Sequence, residues 1–163
     1  MAIARTSCLA VFALFVAWAP SASALSLSVP AASVGTLAAN GTATSTTSSL
    51  VISGLPLESW VLRADVTTSG ATDGHMTRVT SSPLCDQGVA ALDEPLHLSF
   101  TGTLPSTTIV IPEYDLASQN NPVVAQGSAP DVVKVIYSQP VGIEAIGAGC
   151  TYGVNVRYTA SAS

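Results

Sequence analysis

A period-two alternation of apolar and polar residues near the end of the sequence constrains the fold more than any other feature. In the run from Cys150 to Tyr158 every second residue is apolar, and polar or small residues lie between them. The same spacing recurs in Trp60–Thr67 and in Leu96–Thr101. Successive side chains of a strand point to opposite faces of a sheet, so this pattern predicts antiparallel sheets with one face buried and one in water.

Shorter β-rich runs and frequent turn residues extend this pattern over the rest of the chain. Leu50–Ser53, Thr107–Ile111 and Asp131–Tyr137 are rich in β-branched or aromatic residues and are flanked by Gly, Pro, Asn or Ser. From Leu25 onward no amphipathic helical periodicity is found. The sequence therefore predicts an all-β fold: an antiparallel β-sandwich, Ig-like or jelly-roll-like, with seven to nine strands. The polar stretch Thr42–Ser49 fits either an edge strand or a loop.

The first 24 residues have the organisation of a secretory signal. Arg5 is followed by the unbroken apolar run Cys8–Trp18, and a small-x-small pattern ends at Ala24. We expect cleavage after Ala24 and one domain from Leu25 to Ser163. An apolar run of eleven residues is shorter than the roughly 20 that a membrane-spanning helix needs, so no transmembrane segment is expected in the mature chain.

Cysteine usage agrees with export. Cys8 lies in the predicted signal, which leaves Cys85 and Cys150. In an oxidising compartment an isolated pair favours one structural disulfide, here closing a loop of about 64 residues. No CxxC motif is present, and neither histidine has the spacing of a metal ligand relative to these cysteines. Because Cys150 begins the alternating run, we expect it to point inward from a strand and to join a loop at Cys85.

Charge and composition exclude several partners. The chain has ten acidic and five basic residues and a formal net charge of −5, which becomes −6 when Arg5 leaves with the signal. Such a chain has no basic stripe to displace phosphate counterions, so nucleic-acid binding is not expected. It also lacks a polybasic segment for anionic lipid. The sequence is typical of a secreted protein.

No pattern in the sequence indicates catalysis. The G-x-S-x-G motif of serine hydrolases is absent, and no serine or carboxylate is placed by a known motif to orient His75 or His97. The acidic pairs, Asp93-Glu94 and Glu113 with Asp115, do not follow a calcium-loop spacing. We expect no catalytic residue, no metal site and no cofactor, and we interpret these side chains as exposed residues of strands and turns.

Trp60 and Leu62 are the residues that we single out for structure or binding. Trp60 begins a well-patterned strand and shares its parity with Leu62 and Val66. Either the ring is a core anchor, or it is an exposed aromatic at the end of the strand that stacks on a sugar. The sequence leaves both alternatives open.

The segment Trp60-Val61-Leu62, which follows a Leu-Val-Ile-Ser-Gly strand, resembles the first W-x-L signature of WxL-type surface domains. Those are exported β-rich domains of Gram-positive bacteria that associate non-covalently with the cell wall. The resemblance covers about Leu25–Thr67 and names Trp60 and Leu62. The second signature of that family has no counterpart, because Tyr158-Thr159 is not followed by tryptophan. The resemblance implies a secreted protein that is held at the cell surface without a covalent bond.

Three functions follow as hypotheses. The first is an exported, non-catalytic extracellular or cell-envelope domain that binds cell wall or polysaccharide. The second is a self-associating subunit of a surface fibre or pilus-like assembly, with Leu25–Val29 as the strand given to a neighbour. The third is a small secreted enzyme or inhibitor, which would require His75 or His97 to meet carboxylates in the fold.

Overall fold

A computed structural model describes residues 25–66, 73–80, 83, 85–118, 121–144, 146–147 and 149–163. The predicted signal Met1–Ala24 and its cleavage site lie outside the described residues. In the described part the chain forms strands and one short 3₁₀ helix, Cys85–Gln87. The strands are β1 (Ser26–Ser28), β2 (Gly41–Thr44), β3 (Ser48–Ser53), β4 (Ser59–Val66), β5 (His75–Arg78), β6 (Ala91–Pro95), β7 (His97–Gly102), β8 (Thr108–Ile109), β9 (Glu113–Asp115), β10 (Val123–Ser128), β11 (Asp131–Val141), β12 (Tyr152–Gly153) and β13 (Val156–Ala162).

The predicted fold class is confirmed, with more strands than expected. Every strand pair is antiparallel, and the described residues form thirteen strands instead of seven to nine. Part of the difference comes from continuous sequence runs that the structure divides. The stretch from Gly41 to Ser53 forms both β2 and β3, and the alternating C-terminal run forms both β12 and β13.

The largest sheet is built around β11. On one side this strand pairs with β7, and on the other side with β3 and then with β2. Of the stretch Thr42–Ser49, the first three residues therefore lie in β2 and the last two begin β3, whereas residues 45–47 between them form no strand. Ser45 continues the pairing beyond β2, since its amide donates to the Tyr137 carbonyl at 2.8 Å and its hydroxyl accepts from the Tyr137 amide at 3.0 Å.

A second sheet faces the first across the core. Its order is β13-β4-β10-β8. The β4 side chains of Trp60, Leu62 and Ala64 are fully buried, while Arg63 and Asp65 on the opposite face are half-exposed. They share one apolar cluster with side chains of the first sheet, including Leu50 and Val133. The two sheets thus form a β-sandwich with the core that the alternation predicts.

A small third sheet, β12-β5-β6, carries the disulfide region. The predicted Cys85–Cys150 disulfide is present, with a Cα–Cα distance of 5.1 Å. The predicted placement of Cys150 on a strand is wrong. Its amide donates to the Gly147 carbonyl at 3.1 Å, which closes a turn before β12, and Gly149 in that turn has φ +73°. The disulfide therefore joins the 3₁₀ helix Cys85–Gln87 to this turn.

The alternating C-terminal run is interrupted after Gly153. Tyr152–Gly153 pairs with β5, whereas Val156–Ala162 pairs with β4 in the second sheet. The alternation of burial nevertheless continues across the break, because Tyr152, Val154 and Val156 all pack against the core. Pattern alone identified the buried face but not the change of sheet. Within the described residues no helix has the length and apolar character required to cross a membrane.

Gly127 lies opposite Trp60 in the β10–β4 pairing and leaves room for the indole. A Cβ at this position would lie 2.7 Å from Trp60 Cζ2, 2.7 Å from Asp131 Oδ2 and 2.9 Å from the Ser106 carbonyl. Asp131 is itself buried and accepts hydrogen bonds from Thr107 and Ser106, so none of these groups can move easily. We expect Gly127→Ala to lower the free energy of unfolding by about 1–3 kcal/mol through overpacking. Chemical denaturation measures this change.

Gly153→Ala is the matched control for that measurement. A Cβ at Gly153 meets only Val79 Cγ1 at 3.5 Å, an ordinary van der Waals distance. The control should therefore unfold at nearly the wild-type denaturant concentration. Equal stability of the two variants would show that Gly127 does not make room for Trp60.

Candidate ligand-binding groove

A groove of about 1130 Å³ opens between two irregular segments on one side of the sandwich. One wall is the segment 29–39, which connects β1 to β2. The other wall is made of described residues between Ile143 and Val156. Between the walls the core contributes Met76, Leu96, Tyr137 and Tyr158. This volume is slightly larger than the roughly 300–1,000 Å³ that is usual for small-ligand pockets.

The segment 29–39 has no strand partner along most of its length but is attached to the core. Val34 and Leu37 are partly buried against the apolar cluster, whereas most other residues of the segment are exposed. The segment ends in a turn at Asn40, which has φ +53° and whose amide donates to the Gly142 carbonyl at 2.7 Å. This bond joins the end of one wall to the beginning of the other.

The disulfide and Arg78 hold the second wall. Arg78 donates to the Cys85 carbonyl at 2.6 Å and to the Gly88 carbonyl at 3.3 Å, and its other nitrogen lies 3.4 Å from Asp86. Cys150 lines the groove and is joined covalently to Cys85. Tyr152 also lines the groove, and its hydroxyl donates to the Val89 carbonyl at 3.0 Å. The second wall is thus tied to the 3₁₀ helix by the disulfide, and to Val89 beyond that helix by a hydrogen bond.

Two tyrosines from opposite sheets meet at the floor of the groove. The Tyr158 hydroxyl of β13 donates to the Tyr137 hydroxyl of β11 at 3.0 Å. Burial raises the pKa of Tyr158, and the neighbouring Tyr137 raises it further. Burial also raises the pKa of Tyr137, although the hydrogen bond from Tyr158 partly opposes this shift. Both phenols are therefore neutral donors and acceptors at ordinary pH.

The raised pKa of Tyr158 predicts a loss of stability in alkali. Below pH 10 the phenol is protonated in both the folded and the unfolded chain, so its full contribution is present. Above pH 10 the unfolded chain ionises first, and stability falls as pH rises toward the folded pKa, by about 1.4 kcal/mol per pH unit for one such group. Tyr158→Phe should show a shallower decline above pH 10 when unfolding is measured at several pH values. Identical slopes for the two proteins would contradict the assigned burial.

Glu144 is the only carboxylate among the described residues that line the groove. The side chain is 8% exposed, and neither carboxylate oxygen has a hydrogen-bond partner in the described part of the chain. Glu144 comes three residues after Val141, the last residue of β11, and this places it at the groove. Sequence reasoning did not identify this residue. The signal that it offered was a single acid in the apolar and glycine-rich stretch 141–149.

The residues singled out from the sequence lie elsewhere. Trp60 and Leu62 are 0% exposed and belong to the core, so the core-anchor alternative is the one that the structure supports. His75 is half-buried with Nδ1 2.8 Å from the Leu92 carbonyl oxygen. His97 is also half-buried, and its Nδ1 lies 3.2 Å from Glu113. The two histidines were expected to be exposed, and each instead packs partly against its sheet.

Among the described residues, no three His, Cys, Asp or Glu side chains are placed to share a metal ion. No protein-family model, curated protein sequence or solved structure matches the chain. The groove is therefore the feature from which a function can be argued.

Proposed function

We propose that the protein is an exported, non-catalytic binding domain that holds cell wall or another polysaccharide in the groove between segment 29–39 and the C-terminal wall. The observation that carries this proposal is the groove itself. It is large, it is bounded by two largely irregular segments, and its floor is apolar and aromatic. Concave sites with a mainly apolar lining and a few polar groups are where proteins usually bind ligands.

Tyr152 is the residue that we propose for contact with a sugar ring. Its side chain is half-buried on the groove wall, and its hydroxyl is held by the Val89 carbonyl, so the ring has a fixed orientation. A rigid aromatic ring provides contact area at a low entropic cost and can stack on the apolar face of a sugar. Trp60 is not available for this role because it is fully buried.

Two further features support action outside the cytoplasm. The first 24 residues predict a secretory signal, and the Cys85–Cys150 disulfide is the kind of bond that forms in oxidising compartments. The W-x-L resemblance favours cell wall as the polysaccharide and a non-covalent association with the cell surface.

Co-sedimentation with purified cell-wall sacculi tests the proposal. The oxidised Leu25–Ser163 protein should pellet with the sacculi in a saturable manner, and an unrelated protein of similar charge should not. Tyr152→Ala should weaken binding by about tenfold, the loss expected for one aromatic stacking contact. Tyr152→Phe is the matched control, since it loses the same hydrogen bond but keeps the ring.

Two results would count against the proposal. If the wild-type protein does not pellet, the wall ligand and the family resemblance are both abandoned. If folded Tyr152→Ala pellets as well as Tyr152→Phe, the aromatic wall of the groove is not the contact surface. Thermal unfolding of each variant shows whether it is folded.

A surface fibre is the second candidate, and the free edge of β13 favours it. In the described residues this seven-residue strand pairs only with β4, so its other edge has no strand partner there and offers backbone groups to a strand from another copy. The strand expected to be donated, β1, is however paired with β3 of its own chain. Light scattering after size-exclusion chromatography over a range of protein concentrations distinguishes a fibre subunit from a monomeric binding domain. Assembly that is lost on deletion of residues 25–29 would favour the fibre, and a monomer at every concentration would exclude it.

A further inference from the structure

The Glu144 carboxylate has no hydrogen-bond partner in the described part of the chain. Both carboxylate oxygens are buried and without hydrogen bonds, and the residue lines the groove. An ionised carboxylate out of water is costly unless a cation or several donors compensate it. Glu144 therefore differs from Asp65 of β4, a partly buried acid that pairs with Arg157 at 2.7 Å.

The basic side chains of the Leu25–Ser163 chain are placed elsewhere. Arg78 and Arg157 form ion pairs with Asp86 and Asp65, and Arg63 donates to the Asn121 carbonyl at 2.8 Å. Lys134, the remaining basic residue, is exposed within β11. No described lysine, arginine or histidine lines the groove.

Apart from Glu144, the described lining of the groove is uncharged at neutral pH. It consists of aliphatic residues, tyrosines, small polar residues and one half-cystine. A single negative charge in such a surface is complementary to a ligand with one positive group and a largely uncharged body. Among the described residues of the lining there is no second carboxylate that would suit a divalent metal ion.

We propose that Glu144 binds a primary ammonium group of the wall ligand, an inference that rests on the proposed function and specifies its chemistry. The ammonium donates to the Glu144 carboxylate, and the neutral part of the polymer lies along the tyrosines and segment 29–39. A charge-assisted hydrogen bond of this kind is about twice as strong as a neutral one.

The contact requires a change of the Glu144 rotamer toward the groove, and Gly142 lies beside the carboxylate. A Cβ at Gly142 would be 2.6 Å from Glu144 Oε2, and this oxygen is the end of a flexible side chain. The lack of a side chain at residue 142 thus leaves space for the buried position of the carboxylate. If the Glu144 carboxylate rotates toward a bound ammonium, the ion pair removes the cost of leaving the carboxylate buried without a partner.

Sacculi whose amines have been acetylated provide the test, because acetylation converts each ammonium into a neutral amide and leaves the polysaccharide in place. We expect the wild-type protein to bind acetylated sacculi at least tenfold more weakly than untreated ones. Glu144→Gln should bind untreated sacculi about as weakly as the wild type binds acetylated ones, and acetylation should not weaken it further. The control Glu94→Gln removes an exposed carboxylate that does not line the groove and should behave as wild type.

The outcomes separate this inference from the proposed function. Equal wild-type binding to acetylated and untreated sacculi would overturn the ammonium contact and leave wall binding intact. Absence of wild-type binding to either preparation would overturn wall binding and the inference with it. Equal losses of binding to untreated sacculi in Glu144→Gln and Glu94→Gln would show that only the net charge of the protein matters. That result would also overturn the inference. The comparison of the two sacculi uses the wild-type protein alone, so equal binding to both would overturn the inference even if Glu144→Gln fails to fold.

Discussion

Trp60→Ala is expected to lower the free energy of unfolding by about 3–5 kcal/mol, the usual cost of removing a large aromatic side chain from a core. The indole is 0% exposed and packs in the cluster shared by the two large sheets. Leu50 and Val133 of the first sheet belong to the same cluster, so the cavity left by the indole would open in the shared core. Urea denaturation of the Leu25–Ser163 protein measures the loss.

Trp60→Phe provides the matched control. It retains an aromatic ring, and it removes an indole N–H that is buried without a hydrogen-bond acceptor in the described residues. We therefore expect a clearly smaller loss than for alanine. Trp60 is the only tryptophan after Ala24, so the fluorescence of the Leu25–Ser163 protein reports on this ring alone. Emission typical of exposed indole, with strong quenching by iodide, would contradict the core position.

Removal of the disulfide is the second change with a large expected effect. Cys85 and Cys150 are separated by 65 positions, and releasing a loop of this length lowers stability by about 4 kcal/mol through the entropy of the unfolded chain. The double variant Cys85→Ser/Cys150→Ser should therefore unfold at a much lower denaturant concentration than the oxidised wild type.

The same variant should also weaken binding, because the disulfide holds one wall of the groove. Cys150 lines the groove, and the turn that precedes it includes Gly147, which lies in the same wall. Wild-type protein under reducing conditions is the control, since it keeps both cysteines but loses the bond. If the double variant and the reduced wild type both have a free energy of unfolding within about 1 kcal/mol of the oxidised protein, the disulfide contributes little to stability.

The sequence was sufficient to predict the core face of the strands. The parity of Trp60, Leu62 and Ala64 identified the buried side of β4, because burial in a one-sided sheet has a period of two. Val132–Tyr137 has aliphatic residues on both faces, a pattern that is typical of a central strand, and β11 pairs along both edges. These features depend on local alternation, which a single sequence records directly.

Features that depend on pairing between distant segments could not be predicted in the same way. The division of the last run after Gly153 follows from two different partners, Arg78 and Val66, which lie in separate sheets. The turn that removes Cys150 from the strand depends on Gly149 with a positive φ, a conformation that glycine permits but does not require.

The groove escaped sequence reasoning for a related reason. Segment 29–39 has no regular period, and its position is determined by Val34, Leu37 and the Asn40–Gly142 hydrogen bond. Glu144 gained significance only when the structure showed its burial beside a cavity. Trp60, the most conspicuous candidate in the sequence, proved to be structural.

Chemical-shift mapping with soluble wall fragments tests the central claim, that the groove is the binding surface. In amide spectra of the oxidised protein, we expect the largest shifts in segment 29–39 and around Tyr152 and Glu144. Little change is expected at the exposed turn of Leu55 and Leu57, which does not line the groove. Shifts concentrated at that turn or along β13 beyond Tyr158, with the groove unaffected, would contradict the account.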